Sequence, residues 1–246
     1  MESNLPVPAR ALAVGAHPDD VEFGCGGTLA KWASNGCEIL HLICTDGSKG
    51  TWDPGHDPAE LVVTRRNEQR AASLALGAKG EVVFLGWPDG ELDAGLRQRF
   101  EVAACIRRFR PDVVLGHDPW KRYRLHPDHR NAGFLVTDGI VAARDPLFFP
   151  EIDGPPHRPT TLLLFEADEP DHLEDVTNFV QVKLAALLEH RSQLRSTMGI
   201  AAPGAIEDGE DPEVLAFRRR VTDRLAESGR ESGFLAAEAF KRIDNL

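Results

Sequence analysis

Two stretches far apart in the chain pair imidazole with carboxylate: Ala16-His17-Pro18-Asp19-Asp20-Val21-Glu22 and His126-Pro127-Asp128-His129. A few nitrogen and oxygen ligands drawn from two loops suit a catalytic Zn²⁺ that keeps an open coordination position. Fe²⁺ and Co²⁺ accept the same donors. His17 and Asp20 are close enough in a loop to meet one ion. Asp19 between them points elsewhere and can act on bound water. In the second stretch His129 completes a His, Asp, His set and leaves His126 for proton or oxyanion work, although spacing alone leaves open which of the two binds metal. Asp128 can orient an imidazole from behind. Taken singly, Pro-Asp-Asp also reads as a turn with an acidic helix start. A second His-Pro-Asp at another expected strand exit favours the metal reading, and with it a metal-dependent hydrolase.

Pro18 restricts the residue before it to extended backbone, so His17 belongs at the carboxyl end of a strand. In an α/β sheet that is the edge where ligands bind. The first apolar run, residues 11–16, reads as a central buried strand, followed by a helix through about residue 32 and a stop at Gly36. Further strands are expected at 38–45, 81–85, 112–116 and 160–165, with helices over 59–76, 96–109 and 126–143, the last carrying both histidines of the second stretch in its first turn. Strands separated by helix-sized segments imply an α/β, Rossmann-like, mostly parallel sheet flanked by helices. No linker divides the chain, so residues 1–246 read as one domain.

Residues 48–58 read as an ordered functional loop, and 175–177 as the preface to a long amphipathic helix through about residue 194, with His190 and Gln193 near its end. Residues 199–211 read as a mobile acidic loop, and 212–226 as a charged helix before the tail 234–240. Gly24-Cys25-Gly26-Gly27 does not spell a dinucleotide-binding loop, and the His/Asp cluster occupies the place of a pyrophosphate. Close packing of helix on sheet accounts for these glycines better. Arg65 and Glu68, one turn apart, read equally as a surface ion pair or as substrate contacts, and Asp89 in a turn has the same two readings. His41 reads as strand packing and His56 as a loop residue.

Composition narrows the class. With 28 Lys and Arg against 39 Asp and Glu, the net charge of -11 argues against a nucleic-acid partner, which needs basic surface. No apolar run approaches the roughly 20 residues of a membrane helix, and residues 1–10 lack the apolar core of a signal peptide. The expected setting is the cytoplasm. Cys25, Cys37, Cys44 and Cys105 form no C-x-x-C pair and read as buried free thiols.

The assembled motifs resemble the LmbE-like, or PIG-L, family of zinc-dependent N-acetylglucosaminyl deacetylases. HPDDVEFGCGGTLA at His17 to Ala30 is similar to the family's first signature. TDG at Thr45 to Gly47, RRNEQRAASLALG at Arg65 to Gly77, WPDGEL at Trp87 to Leu92, HPDH at His126 to His129, KLAALLEHRSQ at Lys183 to Gln193 and AEAF at Ala237 to Phe240 also fit. The resemblance implies Zn²⁺ on His17, Asp20 and His129, and Asp19 as general base. His126 becomes a general acid or a stabiliser of the tetrahedral intermediate, positioned by Asp128. It further implies substrate contacts from Arg65 and Asp89, a small N-acyl sugar or sugar conjugate as substrate, and compatibility with a homo-oligomer. Some sugar-processing members carry tyrosine two residues before the first histidine of HPDH, where this chain has Arg124. The loop Trp120-Lys121-Arg122-Tyr123-Arg124 therefore marks Trp120 and Tyr123 as selectors of substrate. An amidase acting on a larger sugar conjugate and a non-catalytic carbohydrate or metal-binding module are the alternatives, and the second has no use for Asp19.

Overall fold

Apolar runs of five to eight residues alternate with longer segments apolar on one side, which produces a sheet covered on both faces. The computed structural model describes residues 2–79, 81–201 and 211–246. In chain order the elements are β1 (Glu2–Ser3), β2 (Arg10–Gly15), α1 (Asp20–Ser34), β3 (Glu38–Thr45), α2 (Pro58–Ala75), β4 (Val82–Trp87), α3 (Leu96–Phe109) and β5 (Val113–His117). They continue with α4 (Pro127–Arg144), β6 (Thr161–Phe165), β7 (His172–Asp175), α5 (Val180–Leu188), α6 (Pro212–Gly229) and β8 (Ala237–Asp244). The strands form a single sheet in the order β1-β7-β8-β6-β5-β2-β3-β4. β2 pairs in parallel with β3 and β5, β3 with β4, β5 with β6, and β1 with β7. β8 runs antiparallel to β6 and β7.

Register and side-chain alternation divide the core into two layers. Leu12 aligns with Leu40 and Val114, and Val114 with Leu162. These four face Val102 and Ile106 of α3 and Leu135, Val136 and Ile140 of α4. One residue along, Ala11, Ala13, Val113 and Leu163 face the other way, onto Val21, Leu29 and Trp32 of α1, Ala72 of α2 and Ala186 of α5. Each large aliphatic chain buried this way contributes about 1.5–3 kcal/mol. A smaller cluster, including Leu184, Leu187, Val214 and Phe217, joins α5 to α6.

From β2 the sheet grows first through β3 and β4, then on the other side through β5 and β6. The carboxyl ends of β2 and β5 therefore flank a topological switch point, where an open α/β sheet forms its crevice. The mostly parallel architecture agrees with the sequence, and three parts differ. β8, expected only as a tail, is an antiparallel strand inserted between β6 and β7. Residues 172–175 form β7, which was not expected, and the helix expected to run on from 175–177 to about 194 ends early, α5 stopping at Leu188. His190 leaves helical backbone (φ −79°, ψ 62°) and its buried ring reaches Glu22, so a tertiary polar contact overrides helical periodicity there. Third, α1 begins at Asp20 rather than a few residues later. The acidic loop expected over 199–211 lies, across 202–210, outside the described residues.

The glycines of the first signature serve close packing. A Cβ on Gly24 would stand 2.6 Å from the Phe165 ring, and one on Gly27 2.9 Å from Val176. Phe165 lies edge-on to His117, with ring centroids 4.6 Å apart. Gly24→Ala must therefore displace a fully buried ring at the sheet edge. Its expected cost is about 1–3 kcal/mol, the usual price of overpacking, read as a lower midpoint in chemical denaturation. A midpoint equal to that of the parent chain contradicts this packing.

Candidate active site

Every side chain of interest sits at the carboxyl edge of a parallel strand. His17 follows β2, and Asp19 and Asp20 open α1. Asp89 follows β4, His117 ends β5, Glu166 follows β6, and His126, Asp128 and His129 surround the start of α4. Pro127 keeps His126 extended (φ −69°, ψ 118°), so His126 caps α4 instead of lying in its first turn. Its ring still stacks on His129 at a centroid distance of 4.9 Å.

Three donors converge. His17 Nδ1 is 3.2 Å from His129 Nε2 and 3.4 Å from Asp20 Oδ2, and His129 Nε2 is 3.3 Å from Asp20 Oδ1. Ligand bonds of 2.0–2.1 Å in a tetrahedron place ligand atoms about 3.4 Å apart, so this set fits a divalent metal. Overlapping groups in the same place, such as Asp20 with His117 and His129 or His17 with His126 and His129, also bring their donors within 4.8 Å of one another. Asp20 Oδ2 accepts the His17 backbone N–H at 2.7 Å and lies 3.1 Å from His117 Nε2. Both oxygens of Asp20 thus face the cluster, Oδ2 toward His17 Nδ1 and Oδ1 toward His129 Nε2.

The electrostatics follow burial and pairing. Burial alone raises the Asp20 pKa, but His129 and His117 outweigh it and hold the carboxyl well below its usual range. Burial lowers the pKa of His17, while Asp128, Asp20 and Asp89 overcome it and raise it well above the ordinary imidazole value. Asp19 is pushed up to about 6, chiefly by burial, against the pull of Arg65. His126 is lowered by burial and by the neighbouring His17 and His129. His126 Nδ1 accepts the Asp128 backbone N–H at 3.3 Å, which assigns the proton of the neutral ring to Nε2.

Three of the expected residues are engaged within the protein itself. The Asp128 carboxylate has an oxygen within 4.8 Å of a His126 ring nitrogen, but among the described residues its hydrogen-bonding partners are others: it lies 3.1 Å from His17 Nε2 and accepts the backbone N–H groups of Gly90 and Leu92 at 2.6 and 3.2 Å. The turn after β4 offers these two donors, and they aim the carboxylate at His17. Asp89, expected to meet a substrate hydroxyl, is buried, with Oδ1 3.1 Å from His17 Nε2 and Oδ2 accepting the Lys49 N–H. Arg65, expected to contact substrate, is 3% exposed and donates to Pro18 O at 2.6 Å and Gly47 O at 3.0 Å. Nor does it pair with Glu68, whose carboxylate accepts from Ser192 N and Oγ.

Trp120 and Tyr123 stand at 61% and 86% exposure, beside Leu125 at 91%. Arg124 turns inward from the same loop. Its Nη1 is 2.8 Å from His129 Nδ1 and its Nη2 2.6 Å from Glu166 Oε2. His117, Glu166, Gln69 and Glu22 were not singled out from the sequence. For His117 the signal was present, because it ends an apolar run as His17 nearly does. Gln69 and Glu22 lie inside motifs whose other residues drew the attention.

Known proteins resemble this chain in sequence and fold. The pattern of the PIG-L family, described as GlcNAc-PI de-N-acetylase, matches residues 12–140. Diacetylchitobiose deacetylase of Thermococcus kodakarensis is 36% identical over 187 residues, 75% of this chain and 70% of that protein. 1D-myo-inositol 2-acetamido-2-deoxy-alpha-D-glucopyranoside deacetylase of Actinosynnema mirum is 32% identical over 56% of this chain and 57% of its own length, so the match spans little more than half of that relative. The solved structure of N,N'-diacetylchitobiose deacetylase from Pyrococcus horikoshii superposes with a TM-score of 0.83 at 28% identity, covering 96% of this chain and 84% of that one. The matched span carries both His/Asp stretches, and the chain belongs to the PIG-L family.

Proposed function

We propose that this chain is a zinc-dependent N-deacetylase, hydrolysing an N-acetyl amide on a small amino-sugar substrate of the N-acetylglucosaminyl kind. The observation that carries the reading is the donor set at tetrahedral spacing, with a buried carboxylate, Asp19, and an exposed neutral imidazole, His126, beside it. His17, Asp20 and His129 are the residues that would hold Zn²⁺. Bound there, the ion supplies Lewis-acid polarisation of the amide carbonyl and lowers the pKa of water toward about 7. The named activities of the relatives, all removal of an acetyl group from an acetamido sugar, support the same substrate class.

The chain's own groups divide the proton work. Asp19 takes the proton of the attacking water on its carboxylate, and burial favours the protonated form that results. His126, with its proton on Nε2, donates to the oxygen that gains negative charge as the carbonyl carbon becomes tetrahedral. Either Asp19 or His126 then delivers a proton to the leaving amine. Asp128 and Asp89 hold the His17 ring from its Nε2 side, and His117 holds Asp20 through Oδ2. We place the enzyme in the cytoplasm as a homo-oligomer. Among the described residues no helix is long and apolar enough to cross a membrane; fractionation tests the location and sedimentation the assembly.

A second reading, amide hydrolysis on a larger sugar conjugate, draws on the exposed Trp120, Tyr123 and Leu125 near the site. Such surface suits an aromatic or extended substituent more than a bare monosaccharide.

Asp19→Asn keeps size and all three donors, so zinc content should stay unchanged while kcat falls by about 10² to 10⁴. Near-normal turnover of a zinc-loaded variant would show Asp19 to be a turn residue only. For the substrate, Trp120→Ala and Tyr123→Ala are expected to raise KM on a large N-acyl conjugate more than on an N-acetyl monosaccharide, with kcat retained. Equal loss of kcat on both, at constant KM, would assign the loop to support of the site.

A further inference from the structure

We infer that Arg65 and Gln69 act together as a clamp on one peptide group, the bond between Pro18 and Asp19, and that this clamp aims the Asp19 carboxylate. The inference rests on the reading of Asp19 as the base. Pro18 O and Asp19 N belong to the same peptide plane. Arg65 Nη2 donates to Pro18 O at 2.6 Å, and Gln69 Oε1 accepts the Asp19 N–H at 3.0 Å. Arg65 and Gln69 are four residues apart on α2 and both lie on its buried face, so one rigid helix grips both ends of the peptide dipole.

The grip is needed because Asp19 has φ 105° and ψ −26°, left-handed backbone that a residue with a side chain rarely adopts. Released, the peptide can rotate toward ordinary backbone and carry the carboxylate away from its place 3.5 Å from Arg65 Nη2. A buried network fixes which way the Gln69 amide faces. Its Nε2 donates to Glu22 Oε1 at 2.7 Å and lies 3.3 Å from His41 Nδ1, while Glu22 Oε2 lies 3.2 Å from His190 Nε2. Gln69, Glu22, His41 and His190 are each 0% exposed. A carboxylate oxygen can only accept, so Glu22 forces the amide nitrogen toward itself and leaves the amide oxygen for Asp19. Gln69 is thus a positioning residue, and His41 and His190 belong to its support. Gly47 and Gly50 complete it from outside: a Cβ on either would stand 2.8 or 2.2 Å from the Arg65 guanidinium.

Gln69→Met keeps the length and apolar bulk of the side chain and removes the amide. In the zinc-loaded protein we expect the Asp19 amide proton, followed by NMR, to lose its protection from exchange. Metal content should be unchanged, KM should stay within about threefold, and kcat should fall about 10- to 100-fold, the scale of a small misplacement of a reacting group. Combined with Asp19→Asn, Gln69→Met should cost no more than a further twofold, because the group it aims is already disabled. Unchanged protection of the Asp19 amide, kcat within twofold of the parent, or losses that multiply in the double variant would each overturn the clamp. If Gln69→Met does not fold, Gln69→Glu retains an acceptor for the Asp19 N–H. Retained protection there supports the clamp, and its loss contradicts it. Should the parent chain fail to hydrolyse amides, the proposed activity falls, while exchange of the Asp19 amide still decides the clamp.

Discussion

The carboxylate of Asp20 sets the geometry of the site. It opens α1, directly after the strained Asp19, and meets His17, His117 and His129 from three segments of the chain. A buried carboxylate surrounded by imidazoles is held only if each partner keeps its position, because its desolvation is costly whenever one withdraws. β2 brings His17, β5 brings His117 and α4 brings His129, so the register of the central strands and the docking of α4 must all be right together. The switch point between β2 and β5 is where that coincidence is built.

Around this centre the chain uses carboxylates as orienting groups more than as open ligands for substrate. Asp128 and Asp89 both reach His17 Nε2, and Glu166 reaches Arg124 and lies 3.6 Å from His117 Nδ1. Glu166 is driven to about 2; burial opposes this, and His117 and Arg124 outweigh it. An imidazole fixed by a carboxylate on one nitrogen presents the other in one direction, which is the requirement for a preformed metal site. His126 within the site and Trp120 and Tyr123 on the neighbouring loop are, by contrast, exposed.

Much of this was legible in the sequence, and for physical reasons. Pro18 and Pro127 mark where extended backbone gives way to helix, Pro18 soon after β2 and Pro127 after the loop that follows β5, so the two His-Pro-Asp stretches could be placed at the sheet edge without coordinates. The parallel core strands were visible because they are buried on both faces and read as continuous apolar runs. Less legible was anything that depends on where a side chain ends. Asp128 directly precedes His129, yet its carboxylate is claimed by Gly90, Leu92 and His17, and no spacing rule contains the turn after β4. Arg65 looked like an open fork for substrate, whereas its donors face the carbonyls of Pro18 and Gly47. β8 escaped because its partners, β6 and β7, lie more than 60 residues earlier in the chain, and an edge-region strand of mixed polarity resembles a tail. His190 ended a helix that periodicity would have continued, because the buried Glu22 needed a partner.

The central claim is that His17, Asp20 and His129 hold one zinc ion that the hydrolysis of an N-acetyl amino sugar requires. The most direct measurement titrates Zn²⁺ into metal-depleted protein in competition with a chromophoric chelator, while amine release from an N-acetylglucosaminyl substrate is followed in the same samples. The parent chain should take up one equivalent with activity rising in proportion. His129→Ala should lose tight binding and activity together, and His126→Ala should keep the metal and lose turnover. Tight stoichiometric zinc in His129→Ala, its loss in His126→Ala, or amine release that does not follow metal uptake would contradict the account.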